Sequence, residues 1–183
     1  NAFAALVEGD ATLAMIGLLA LGAGGDLERL TTDPDLLASL ISPEAVASGG
    51  AELAAAPPIV RTPLVSRYLD GMLFCAYLHG AMGGWTAVDA AHAHLPTTTE
   101  EILHPERLGA REPDVITLPA LPGLEARGFV VHDEDTLGEL EISIYLAQGT
   151  GEDRDASAGD GWSGDRLRVY RRDTETAVVW VST

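Results

Sequence analysis

The segment Ala5-Leu6-Val7-Glu8-Gly9-Asp10-Ala11-Thr12 places two carboxylates inside an apolar run near the start of the sequence. Ala and Leu dominate this run, and apolar residues fall on more than one face of a helix. The pattern predicts a central helix from about Ala2 to Leu21, ended by the glycines that follow. A buried carboxylate without a partner is costly. We therefore expect Glu8 to bind a cation, to pair with a basic group or to face solvent at a cleft.

Composition limits what the chain can be and what it can bind. Its 183 residues suffice for one domain with a sizeable core, and its high Ala and aliphatic content favours helix over sheet. The formal net charge is −17, and all 11 basic residues are Arg. Such an acidic surface repels nucleic acid and anionic membranes, so neither is an expected partner. Cys75 stands alone, which excludes an internal disulfide.

A targeting or membrane segment would have to lie in the apolar stretch from Ala11 to Gly25. Residue 1 is Asn and no basic segment precedes the stretch, so a signal peptide is not recognised. The stretch has about fifteen residues, fewer than the roughly 17–25 that span a bilayer. We expect a buried helix and no membrane-spanning segment.

Capping and breaking signals divide the rest of the sequence into further elements. Pro63 opens a long helix, in which Gly71 permits a close helix contact. Its core-facing stripe recurs at spacings of three and four. That stripe comprises Val65, Tyr68, Leu69, Met72, Cys75, Ala76 and Leu78. Shorter helices are predicted to begin near Pro34, Ser42, Trp85, Thr99 and Leu137. The fourth is expected to be capped by Thr97, Thr98 or Thr99, and the last by Asp135 or Thr136.

The C-terminal part has the texture of extended chain. Prolines interrupt residues 111–128, which are expected to be loop or edge strand. Short strands are predicted at 129–131, 166–171 and 177–181, the last two antiparallel around residues 173–175. The predicted fold is mainly α with a small antiparallel β element near the C-terminus. It is a single domain over residues 1–183, or the larger C-terminal part of one domain.

Glu8 is the first candidate site residue. A carboxylate suits zinc as a third ligand because it leaves a fourth position open for water, which the metal makes acidic enough to attack a carbonyl. Asp10 or Thr12 would then hydrogen-bond a ligating His. The alternative is that Glu8 lies on a solvated helix face or pairs with an Arg.

The remaining candidates have simpler structural explanations beside the functional ones. His92 and His94 point in different directions on a helix, so they are not expected to share a metal. His104 either reaches a cleft or bonds a backbone carbonyl before Pro105.

Cys75 is expected to be a buried, inert thiol. Glu100 and Glu101 are expected to be N-terminal helix charges. The acidic residues 152–160 do not match an EF-hand, and the Arg residues of 166–172 are expected to pair with carboxylates.

Several motifs resemble a family of poorly characterised bacterial exported proteins related to gluzincin-type zinc metallopeptidases. The matching runs are VEGDAT (7–12), YLDGMLFCAYLHGAMGGWTAVDAA (68–91), LPTTTEEILHPE (95–106), DEDTLGELE (133–141) and GWSGDRLRVY (161–170). The resemblance implies Glu8 as third zinc ligand, Asp10 as hydrogen-bond partner of a ligating His, and His104 as a contact to substrate or oxyanion. It also implies that the chain is the larger C-terminal part of one metallopeptidase-like helical domain, with a peptide or protein substrate and a secreted or cell-envelope location.

The H-E-x-x-H motif that supplies the other two zinc ligands and the catalytic Glu is absent from these 183 residues. By the resemblance it would lie upstream of residue 1, and zinc is expected only if those His ligands are present. The alternative hypothesis is a non-catalytic exported helical module that binds a peptide or protein partner.

Overall fold

The computed structural model describes residues 1–40 and 50–183, and it has the predicted class: mainly helical, with a small antiparallel sheet near the C-terminus. The helices are α1 (Ala2–Gly22), α2 (Leu27–Thr31), α3 (Pro34–Ser39), α4 (Ala51–Ala55), α5 (Pro58–Met82), α6 (Trp85–Ala93), α7 (Thr99–Leu103), α8 (Pro122–Glu125) and α9 (Gly138–Ala147). A short 3₁₀ turn spans Pro105–Arg107. The strands are β1 (Val130–Asp135), β2 (Asp165–Arg172) and β3 (Glu175–Ser182).

The helical core forms where α1 packs along α5, the two longest described helices. Leu6 and Leu13 of α1 are fully buried, as are Met72 and Phe74 of α5. Helices α2, α3, α6 and α7 pack around this pair and contribute Leu30, Leu37, Val88 and Ile102 to the same cluster. Burial of this apolar surface is the main force that holds the helices together.

The sheet has the order β1-β2-β3, with both pairs antiparallel. An irregularity between Val131 and Asp133 interrupts the register of β1 with β2. Strands β2 and β3 form a hairpin in which Arg172 pairs with Glu175. Asp173 in the turn has φ 51°, a left-handed conformation that Asp tolerates better than most residues. The two predicted C-terminal strands are thereby confirmed, each slightly longer than expected.

Helix α5 differs from the prediction at its start. It begins at Pro58, not at Pro63, because Pro58 at the first helical position has no N–H bond to lose. Pro63 lies inside the helix, where its ring is buried although one helical hydrogen bond is not made. Tyr68 of the predicted core stripe is also exposed, and Phe74 takes a core position instead.

Other predictions concern element ends and loops. Residues 111–128 form a loop with one short helix, α8, and contain no strand. Helix α6 begins at Trp85 and α7 is capped by Thr98, as predicted. Helix α9 is capped neither by Asp135 nor by Thr136, as the next subsection describes. The helical turn predicted from Ser42 to Gly49 lies outside the described residues.

Candidate functional site

The crossing of α1 and α5 determines where the acidic segment lies. Gly9 and Gly71 meet at this crossing, and a Cβ atom on either would overlap the backbone of the other helix. The Cys75 thiol donates across the same interface to the carbonyl oxygen of Leu6, at 3.7 Å. The prediction that Gly71 permits a close helix contact is confirmed. Glu8 and Asp10 stand on either side of Gly9, so the crossing sets their backbone positions.

Glu8 is half-buried, and its side chain has no hydrogen-bond or ion-pair partner within residues 1–40 and 50–183. Its backbone carbonyl accepts a bond from the Thr12 hydroxyl at 2.6 Å, a contact within the helix that leaves the carboxylate uninvolved. The expected pairing with a basic group is therefore not seen among the described residues. The carboxylate is left able to accept bonds from solvent or from a ligand.

Asp10 pairs with a histidine of the neighbouring helix. Its Oδ2 lies 3.0 Å from Nε2 of His92 in α6, and both side chains are about one-third exposed. His94, two residues on, lies at the end of α6 and is exposed. The two histidines thus point in different directions, as the helical spacing predicts. Asp10 therefore bonds a histidine, His92. No described contact holds this histidine near Glu8.

The uncovered side of α1 is apolar along the whole helix. Opposite the buried face lies a row of exposed residues at helical spacing, free of charge: Phe3, Val7, Ala11, Ala14, Leu18 and Leu21. Leu18 is 72% exposed, the most of the large α1 residues. We call this row the α1 apolar face. Glu8 and Asp10 flank it on opposite sides, because residues two apart in a helix lie about 200° apart.

The expectation of a central helix is wrong in one respect. The described residues cover one side of α1 and leave its other side exposed. By length and composition it could cross a membrane, with a mean hydropathy of 1.7. The core helix of a globular protein and a signal sequence have the same property, so the expectation of no membrane-spanning segment stays a prediction.

His104 has no described bond to Glu8 and belongs to a second cluster, at the end of α7. Its Nε2 is 2.8 Å from Oε1 of Glu139 in α9, and its Nδ1 is 3.8 Å from Oε1 of Glu106. Glu139 is only 2% exposed, whereas the His104 side chain is 26% exposed. His104 therefore bonds a buried carboxylate, which neither of the two sequence interpretations included.

Glu100 and Glu101, on the first turn of α7, have structural roles, as predicted. Arg107 and Arg111 both bind Glu100, at 3.1 and 3.0 Å. Glu101 completes a capping box with Thr98 and also accepts the backbone N–H of Gly109 at 2.9 Å. These bonds attach the loop after α7 to the helix.

Asp165, at the start of β2, is a buried residue that sequence analysis missed. Its carboxylate accepts the backbone N–H groups of Leu137 and Gly138 at 2.8 and 2.9 Å, and so it caps α9 from 27 residues away. It also accepts the indole N–H groups of Trp162 and Trp180 at 3.0 and 3.2 Å. A cap so distant in sequence leaves no local signal, which is why Asp135 and Thr136 were wrongly expected.

Two open cavities lie beside these clusters. A groove of about 930 Å³ runs between the end of α5, α6 and the loop after α7. Its lining is apolar at Leu78, Ala87 and Leu108, with His94 and Arg111 contributing polar groups. A smaller cavity of about 420 Å³ lies at the start of α9, next to Asp165 and Thr98.

No contact among the described residues joins Glu8, Asp10 and His104: Asp10 bonds His92, His104 bonds Glu139, and the Glu8 side chain has no partner there. No group of three or more His, Cys, Asp or Glu side chains able to hold a metal occurs within the described residues. Three of the four Arg residues of β2 pair with carboxylates as expected. Arg166 and Arg168 both lie 2.8 Å from Glu134 and Arg172 bonds Glu175, whereas Arg171 has no ion-pair partner among the described residues. Burial, with a smaller effect of Asp10, raises the pKa of Cys75 to about 12, consistent with the predicted inert thiol.

Comparison with known proteins gives one family match. A family model described as a domain of unknown function (DUF8575) matches residues 127–183, which contain β1, α9, β2 and β3. No curated protein and no solved structure matches the chain. The matched segment contains Glu139 and Asp165, the two buried acids that connect α9 to the rest of the molecule.

Glu139 is the second residue that sequence analysis missed. It stands in the run DEDTLGELE, which is one of the motifs of the family resemblance, but no role is predicted for it from the sequence. The signal that could have found it is one acid between apolar positions of a short helix, with Leu140, Ile142 and Ile144 all buried around it. Its partner, 35 residues earlier, could not be identified from that pattern.

Proposed function

We propose that this chain supplies the third-ligand helix and the downstream cleft of a gluzincin-like zinc-metallopeptidase-related protein, with Glu8 as the zinc ligand. The observation that carries the proposal is the position of Glu8: a half-buried carboxylate, with no side-chain partner among the described residues, at the edge of the α1 apolar face. Carboxylate oxygen is a ligand that zinc accepts readily beside two His nitrogens.

The α1 apolar face supports the same proposal. An uncharged row of exposed side chains along a helix of 21 residues fits the packing of a second helix. A helix lying on this face would pass between Glu8 and Asp10. If it carried the two His ligands, those side chains would come close to Glu8, and Asp10 would be placed to bond one of them. The ligand-bearing helix would come from residues upstream of Asn1.

Under this proposal the protein residues have distinct roles. Zinc, when bound, would polarise a substrate carbonyl and lower the pKa of its bound water. Glu8 would hold the metal, and Asp10 would orient a ligating His. His104 would contact the substrate. The substrate is proposed to be a peptide or protein, acted on outside the cell or in its envelope.

Metal analysis of the whole natural protein, including any residues before Asn1, tests the proposal. We expect about one zinc per chain, and we expect Glu8→Gln to lose zinc while its helical circular dichroism is unchanged. Glu28→Gln, an exposed acid on α2, is the matched control and should keep the metal. Zinc retained in Glu8→Gln, or a natural protein without H-E-x-x-H, would exclude the peptidase mechanism.

A second candidate function is a non-catalytic module that binds a peptide or protein partner. The groove beside α6 favours it, because a volume of about 930 Å³ with an apolar floor is large enough for several side chains. The metal-free protein should then bind fluorescent unstructured peptides, and Ala87→Trp in the groove should abolish binding. Ala55→Trp, at an exposed position of α4, is the control. Equal binding by both variants would exclude the groove.

A further inference from the structure

The pair formed by Glu139 and His104 has a defined geometry. Helix α7 ends at Leu103, and the His104 backbone is held by its N–H bond to Glu100 and by its carbonyl, which accepts from Arg107, both at 2.8 Å. The side chain then points at α9, where Nε2 is 2.8 Å from Oε1 of Glu139. The main chain of His104 and its imidazole ring are therefore fixed by separate contacts.

The loop before β2 packs closely against Glu139. A Cβ atom on Gly159 would lie 2.9 Å from Cγ of Glu139 and 3.3 Å from Cβ of Ser143, so this loop helps to bury the Glu139 side chain. Oε2 of Glu139 is buried and has no hydrogen-bond partner within the described residues. His104 is therefore the group that directly bonds this carboxylate.

The charges around the Glu139 carboxylate increase its dependence on the bond to His104. Burial raises the pKa of Glu139, while the bond from His104 and the more distant Arg107 act in the opposite direction. Glu100 adds repulsion. An ionised carboxylate in this position needs a donor, and within the described part of the chain the ring nitrogen Nε2 of His104 lies at bonding distance.

We infer that Glu139 is a positioning residue, which fixes His104 with its Nε2–H directed inward and its Nδ1 directed to the surface beside Glu106. In the neutral ring this arrangement leaves the lone pair on Nδ1, where it can accept a proton from a bound molecule. In the protonated ring the same atom donates. Glu106 is half-exposed and lies 3.8 Å from Nδ1, so it marks the surface side of the ring.

The orientation itself does not depend on zinc. Only the use of Nδ1 as a contact to substrate rests on the proposed function. The two can therefore fail separately: a protein that binds no zinc can still hold His104 in one tautomer, and a zinc protein can have a disordered ring.

Long-range ¹H–¹⁵N spectra of the histidine rings test the inference in the whole chain at neutral pH. We expect His104 to show the Nε2–H tautomer in the natural protein. In Glu139→Gln we expect this single pattern to be lost, because an amide can either accept from or donate to Nε2. Glu106→Gln, which changes a half-exposed carboxylate on the other side of the ring, is the control and should keep the Nε2–H form.

Backbone amide spectra establish that each variant is folded, and Glu139→Asp serves as the second variant if Glu139→Gln does not fold. Its shorter side chain keeps the charge but moves the oxygen away from Nε2, so the single tautomer should again be lost. An Nδ1–H tautomer in the natural protein would overturn the inference, as would an unchanged pattern in the folded Glu139 variant. Glu8→Gln should leave the His104 pattern unchanged, which separates this result from the test of zinc binding.

Discussion

At the scale of single residues, Glu101 is a buried acid that backbone donors satisfy. Glu101 is 7% exposed, and its carboxylate accepts the N–H groups of Thr97, Thr98 and Gly109 at 2.7, 3.2 and 2.9 Å. Burial by itself would raise the pKa of Glu101. The three donors outweigh that effect and hold the pKa below its ordinary value of 4.5.

Glu101→Gln should therefore destabilise the protein in a pH-dependent way. A folded-state pKa below the unfolded one stabilises the protein above about pH 4.5, and that stabilisation is lost as the pH falls through the folded value. We expect the free energy of unfolding to fall by about 1–3 kcal/mol at pH 7. Urea unfolding at several pH values measures this.

The loss in Glu101→Gln should shrink as the pH falls below 4.5. Glu152→Gln, at an exposed loop position, should change the free energy of unfolding little at any pH. A deficit in Glu101→Gln that is the same at pH 3 and pH 7 would show that the charge of the carboxylate is not what stabilises the loop.

At the scale of elements, the glycines of the α1–α5 crossing permit the closest helix contact described. Gly9 and Gly71 allow backbone to approach backbone, which brings Leu6 and Cys75 into contact across the interface. The acidic run around Gly9 thus has a packing role in addition to the metal role that is proposed for Glu8. Both roles require the same helix to keep its position.

Gly9→Ala should strongly destabilise the protein, because the new Cβ meets the backbone of α5, which cannot move aside as a side chain can. Overpacking typically costs about 1–3 kcal/mol, and a clash with backbone places Gly9→Ala at the upper end of this range. Thermal and urea unfolding measure the change.

Gly22→Ala, in the last position of α1 with open space around it, is the matched control. It should be neutral or slightly stabilising, since Ala favours the helix over Gly. A Gly9→Ala protein as stable as Gly22→Ala would mean that the two helices do not cross as closely as described.

At the scale of the whole molecule, polar contacts connect the C-terminal segment to the helical body. Arg154 binds Asp70 of α5 at 2.8 Å, and Arg61, also of α5, binds Asp153 at 2.6 Å. Arg111 reaches the carbonyl oxygen of Trp162. Asp165 in turn joins α9 to the sheet through its four bonds. The acidic loop that follows α9 is held by ion pairs of three arginines, Arg61, Arg154 and Arg107, the last through Asp160, which gives the loop a structural role.

Asp165→Asn should reduce the free energy of unfolding by about 3 kcal/mol or more, because an amide cannot accept all four donors and leaves buried N–H groups unpaired. Asp173→Asn is the matched control, an exposed turn residue with positive φ that Asn also tolerates. Unfolding followed by tryptophan fluorescence is the direct measurement, since Trp162 and Trp180 both bond Asp165. Equal stability of the two variants would contradict the role of Asp165 as the connection.

The sequence by itself determined most of the helices, the C-terminal hairpin and the capping of α7. These features depend on local preferences: Ala and Leu in α1, proline and glycine at the ends of elements, and Thr98 three residues before Glu101. The close contact at Gly71 was also predicted, because a glycine inside an apolar helix is costly unless the helix needs close approach.

Only the tertiary structure decided which distant side chains meet. Asp165 caps α9 and Glu139 bonds His104 across 27 and 35 positions of the chain, and Asp10 reaches His92 across 82. Residue types and spacing carry no information on such pairs, because a chain can bring any two of its acids and bases together in many folds. Each pair is fixed by how α9, α7 and α6 pack, and that packing follows from burial of the whole apolar surface.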